Sequence, residues 1–184
     1  SISKARGNNE AAMKIADMYH NGYGVTKDEA KYKTLLLEVY DKVKDTKMLF
    51  EVYPEVAHRL ADILIQEGHT AEALPMLEKG KSFITQRIRY SPFWGNFIVC
   101  RRTIHLLYQI VPFPEEDLDF FDLFYLFEKA HKVKLTYHGQ QYLIESFFDE
   151  GQMRVKCGEK FYKSTENFLL NALFDGKHTY IIHY

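Results

Sequence analysis

Metal and nucleophile chemistry is the first possibility this sequence raises. It holds eight histidines: His20, His58, His69, His105, His131, His138, His178 and His183. A zinc site needs ligands that converge on one point, as an H-E-x-x-H helix or paired C-x-x-C turns provide, and neither pattern occurs. His178 and His183 stand five apart on an expected strand, which turns them to opposite faces. No metal site is expected. Cys157 lies beside Lys156, whose charge would favour a thiolate. Its alternation with Met153 and Val155 places it on an inward face, as a small buried hydrophobe, and Cys100 between Val99 and Arg101 reads the same way. Gly22-Tyr23-Gly24 resembles the start of a phosphate loop, but it follows a helix and not a strand, so it is a turn. No G-x-S-x-G, P-loop or dinucleotide fingerprint is present, and nothing assembles a nucleophile, base and oxyanion site. The expectation is a protein that is not an enzyme and uses no cofactor.

Cations and aromatic rings offer a second chemistry. From Lys79 to Pro114 there is no acidic residue, while Lys79, Lys81, Arg87, Arg89, Arg101 and Arg102 are interleaved with Tyr90, Phe93, Trp94 and Phe97. Guanidinium groups beside rings suit phosphate, nucleic-acid or protein hot-spot contacts. Against this stand Glu115, Glu116, Asp117, Asp119 and Asp122 directly downstream, which can pair with those arginines across two helices. Such compensation is the preferred reading. A nucleic-acid-associated role for the stretch 79–102 is the alternative function.

The elements that must position these residues fall into two textures meeting near residue 132. Before it, apolar residues recur at helical spacing. Ala12, Ile15, Ala16 and Tyr19 share one helix face, ended by Gly22 and Gly24. Asp28 or Thr26 caps a second helix running to about Lys44, with Leu35, Leu36 and Val39 inward. A third spans about Met48 to Glu67, with Pro54 bending it or delaying its start. A fourth, capped by Thr70, extends towards Tyr90, and a fifth runs from Trp94 to Gln109. Glu115-Glu116-Asp117 open a sixth, with acid in its first turn. The aromatic run from Phe120 to Phe127 reads as core joining the helices to the C-terminal sheet.

After Lys132 the period becomes two. Three short strands, a helix from Glu166 to Phe174 capped by Ser164 or Thr165, and a last strand from Thr179 to Tyr184 make a β-β-β-α-β unit. The fold class is α+β, with a helical domain at 1–131 and a small α+β domain at 132–184. A net charge of −1 gives no global field towards nucleic acid or acidic membranes. No apolar run approaches a spanning length, so no membrane partner is expected. Two cysteines are no disulfide framework and suit a reduced, cytoplasmic setting.

The stretch from Ala12 to Leu36 resembles a Sel1-like repeat, the bacterial relative of the tetratricopeptide repeat. The likeness rests on Ala12, Ile15, Ala16, Tyr19, Gly22, Gly24, Val25, Asp28 and Lys31, in which a G-x-G-V-x-x-D-x-x-K core couples a glycine turn to a capped helix. Tyr32 departs from it, standing where a small residue is usual, as do Leu35-Leu36 in place of an aromatic pair. Ala57 to Gly80 looks more like a plain tetratricopeptide repeat, through Leu60, Ala61, Ala73, Leu77 and Gly80. The resemblance implies stacked helix pairs with a concave face that binds a protein or peptide segment, as a scaffold or adaptor. In such stacks the first helix of each pair lines the groove. Turning away from Ala16 and Ala61 places Met13, Asp17, His20 and Asn21 there from the first helix, and His58, Asp62, Ile65 and Gln66 from the third. Arg101 and Arg102, with Trp94, extend the wall on the fifth.

Overall fold

A computed structural model describes residues 2–114, 118–128 and 132–179, with side chains from Gly7 onward. The described chain divides into two compact units, Ser1–Gln86 and Arg87–Tyr184. Helices and, after them, an antiparallel sheet make the fold α+β.

The first unit contains α1 (Ile2–Asn21), α2 (Glu29–Val43), α3 (Tyr53–Gln66) and most of α4 (Thr70–Tyr90). The turn between α1 and α2 works as its glycines require. Gly22 and Gly24 sit at φ 73° and 72°, a region costly to residues with a Cβ. The Gly22 and Tyr23 amides donate to the Met18 carbonyl, closing the end of α1. Asp28 rather than Thr26 caps α2, its carboxylate accepting from the Lys31 amide at 2.9 Å. The packed stripe of α1 is turned from the expected one: Met13 and Ala16 are buried and Ile15 is about half exposed. Tyr32, Leu36, Val39 and Val43 of α2 and Tyr53, Val56 and Ala57 of α3 complete this core.

Pro54 delays α3, which starts at Tyr53 and not near Met48. Proline lacks an amide hydrogen and fits the first turn, where none is needed. In α4 the cap shifts by one residue: the carbonyl of His69 accepts from the Glu72 and Ala73 amides, and Thr70 is already helical. Tyr53 packs its ring 5.6 Å from that of Phe83, and the Lys79 ammonium lies over Tyr53 while donating to the Lys44 carbonyl.

The second unit contains α5 (Trp94–Ile110), a 3-10 turn (Phe120–Asp122), α6 (Leu123–Phe127), β1 (Lys132–Tyr137), β2 (Gln140–Asp149), β3 (Gln152–Cys157), β4 (Lys160–Tyr162), α7 (Thr165–Asn171), β5 (Leu173–Phe174) and β6 (Lys177–His178). The first four strands form an antiparallel meander in the order β1-β2-β3-β4, and β5 and β6 form a separate hairpin. The expected β-β-β-α-β order therefore gains β4 and ends in short strands. The expected helix from Glu166 to Phe174 stops at Asn171, where Ala172 becomes extended. The Glu115-Glu116-Asp117 start of the sixth helix, His131, and the last strand beyond Thr179 lie outside the described residues. What is described of the sixth helix is the 3-10 turn, capped by Asp119 and Asp122, and the five residues of α6.

The units divide at 86/87, whereas the sequence changes texture at 132. Packing is the reason. Phe127 of α6, Tyr162 of β4 and Phe174 of β5 all set their rings against Phe168 of α7, so the late helices share a core with the sheet. Phe97 and Phe121 extend that core to α5.

Candidate functional site

In the first unit, α1, α3 and the loop before α3 line an open cleft of about 220 Å³. Met13 and Val52 form apolar wall, and Phe50 stands at the rim, 45% exposed. Glu10, Lys14, Asp17, Glu55 and Arg59 supply the polar lining. Arg59 organises one side: it donates to Asp17 Oδ2 at 2.9 Å and to the Glu55 carbonyl at 3.1 Å. This clamps α3 to α1 across 42 residues of sequence. At the other side, Glu51 is buried and accepts from the Val52 amide at 3.1 Å and from Asn9 Nδ2 at 3.5 Å. That pairing fixes the loop presenting Phe50.

The volume is below the roughly 300–1,000 Å³ of sites that enclose a whole small molecule. Three carboxylates against one ammonium and one guanidinium leave the lining one negative charge in excess. An apolar floor with an acidic rim suits a segment carrying an apolar and a basic residue.

Of the residues expected in a groove, Met13 and Asp17 line this one. Met13 requires correction: it is 5% exposed, part of the α1–α2 core, and shows the cleft only an edge. His58 requires correction as well. It is buried, with Nδ1 donating to the Pro54 carbonyl at 2.9 Å, because it shares the packed face of α3 with Pro54 and Ala61. His20 is exposed beside Tyr32, its ring 4.6 Å away, and is bonded to Glu29 at 3.0 Å. That contact, together with Lys27, holds the Glu29 carboxyl below its ordinary range. Asn21 donates to the Asp17 carbonyl, and Gln66 donates to Asp62, both on exposed helix surface. Phe50, Glu55, Lys14 and Glu10 were not legible as site residues. Glu55 and Arg59 four apart on a helix were the available signal, but their link to Asp17 was not.

In the second unit, Arg87, Arg89 and Arg101 of the cation-rich stretch are absorbed into structure. Arg87 is buried, and Arg89 bonds Asp119 at 3.1 Å, as compensation predicted. Arg101 finds other acids: Glu128 at 2.7 Å and the buried Glu166 at 3.2 Å. Burial opposes the Arg101 charge, yet these two carboxylates raise its pKa above the ordinary value. Arg102 and Trp94 are exposed, as are the rings of Tyr90 and Phe93. Cys100 is buried, and Cys157 is half-buried with its thiol pKa pushed up by burial, despite the nearby Lys160. Among the described residues, no three His, Cys, Asp or Glu side chains form a metal-sized group. No helix among them is long and apolar enough to cross a membrane.

No protein-family model, no curated protein and no solved structure matches this chain.

Proposed function

We propose that this chain is a non-enzymatic binding scaffold, whose Sel1-like helical part holds a protein or peptide segment in the groove between α1 and α3. The observation that carries the reading is the cleft itself: an apolar floor at Val52, a half-exposed Phe50 and an acidic rim, all fixed by the Arg59–Asp17 and Glu51 contacts. The glycine turn and the Asp28 cap support the repeat assignment, since they are the features its motif encodes. The segment inserts an apolar side chain beside Phe50 and a basic one between Glu10 and Glu55. The cation-rich stretch plays no part in this reading, since Arg89 and Arg101 are engaged with Asp119, Glu128 and Glu166.

Selection from a displayed random-peptide library tests this directly. Binders should be enriched in an apolar residue near Lys or Arg, and Phe50→Ala and Asp17→Ala should each weaken them about tenfold. Asp62→Ala, on the exposed helix surface nearby, marks how far the contact extends. Peptides that bind Phe50→Ala and Asp17→Ala as tightly as the parent would place recognition on another face.

A further inference from the structure

The outer face of the β1–β4 sheet carries an arrangement that the peptide groove does not explain. Register assigns residues to that face. Lys134 pairs with Leu143, Glu145 with Lys156, Phe147 with Arg154, and Lys156 with Phe161. The opposite face is occupied, since Ile144, Ser146 and Val155 are buried and Tyr162 packs on Phe168 of α7. On the outer face Phe161 is 67% exposed, and the Phe147 ring lies 6.4 Å away at 89° to it. Lys156 holds its ammonium 5.3 Å from the centre of the Phe161 ring.

Charge on this face is unbalanced. Lys132, Lys134, Arg154 and Lys156 stand against Glu145 and Asp149. Lys132 bonds Glu145 at 2.7 Å and Arg154 reaches Asp149 at 3.6 Å, so the surplus of two positive charges resides on Lys134 and Lys156. Lys156 stands on β3 beside Phe161, and Lys134 stands on β1 opposite Leu143, farther along the same face.

We infer that this sheet face binds single-stranded nucleic acid, with an unpaired base stacking on Phe161, which Phe147 braces edge-on, and phosphates meeting Lys134 and Lys156. A base–phosphate chain offers a flat ring and an anion at each repeat, which is what the face presents in complement. An acidic peptide answers the charges but gives the exposed Phe161 ring nothing to stack on. A duplex keeps its bases inside, out of reach of a flat sheet. The inference is independent of the peptide groove, which lies on the other unit.

Fluorescence anisotropy of the full chain with labelled oligo(dT) and oligo(U) tests it, the two arms separating DNA from RNA. Two phosphate contacts predict a log–log salt slope near −1.4. Phe161→Ala should weaken binding about tenfold, as one lost stack does. Lys134→Glu with Lys156→Glu should abolish it, while Phe50→Ala changes nothing. Circular dichroism confirms folding of each variant, and because Phe161 and Lys134 are exposed their replacement leaves the core intact. The inference is overturned if neither oligonucleotide binds, if Phe161→Ala binds like the parent, if duplex DNA binds as tightly, or if polyglutamate competes equally well.

Discussion

Phe168 is the ring on which the second unit depends, and Phe168→Ala is the substitution that tests its packing most severely. The side chain is fully buried on α7 and meets three rings edge-on. Phe127 lies 5.7 Å away at 70°, Tyr162 5.2 Å at 88°, and Phe174 6.2 Å at 79°. These partners come from α6, β4 and β5, so a cavity there cannot close by moving one element alone. Phe→Ala in a core costs about 3–5 kcal/mol, and each edge-to-face pair contributes roughly 0.5–1.5 kcal/mol beyond burial. The loss of three pairs at once places this site at the upper end, about 5 kcal/mol. For a unit near 100 residues, each kcal/mol lowers Tm by about 4–8 °C, so the transition should fall by roughly 20 °C or more. Urea and thermal denaturation, monitored by near-ultraviolet circular dichroism, measure it. Phe168→Leu should lie between parent and alanine, since it keeps much of the apolar volume and loses the rings. Phe161→Ala, on the exposed face, should stay within about 0.5 kcal/mol of the parent. A loss below about 1 kcal/mol for Phe168→Ala, or one matched by Phe161→Ala, would refute the packing argument.

Two glycines of one helix and its turn should respond with opposite signs. Gly22→Ala forces a Cβ onto φ 73° and should destabilise by about 1–2 kcal/mol, although the new methyl meets neighbours no closer than 3.6 Å. Gly7→Ala lies within α1 in open space and should stabilise by about 0.5–1 kcal/mol; chemical denaturation of both variants checks the pair. Alkaline pH should unfold the first unit before solvent-exposed tyrosines account for it. Burial raises the Tyr32 pKa to about 12 and that of Tyr53 further, so the unfolded chain loses these protons first, near pH 10. The stability they contribute is complete below pH 10 and is lost as pH rises towards 12. Tyr32→Phe should flatten that decline in a melt series from pH 9 to 12, and an unchanged slope would refute the assignment.

Local chemistry was legible from the chain alone. The Gly22–Gly24 turn, the Asp28 cap and the meander after Lys132 each arise from a few adjacent residues. Glycine's access to positive φ, a short carboxylate at a helix start and a period of two act within one turn or one hairpin. Contacts at long sequence separation were not legible. Arg59 finding Asp17, Arg101 finding Glu166 instead of the acids just downstream, and the inward turn of His58 all depend on which helix faces which. The same holds for the two candidate surfaces. Alternation along β2 and β3 already separated Phe147 and Lys156 from Ile144 and Val155, but not which face α7 would cover. Phe50 falls inside a helix by its spacing, and Pro54 with the buried Glu51 makes its segment a loop against α1. Neighbouring residues set the backbone because their forces are short in range. Exposure is a property of the packed body, so only the tertiary structure decided which of these side chains a partner can reach.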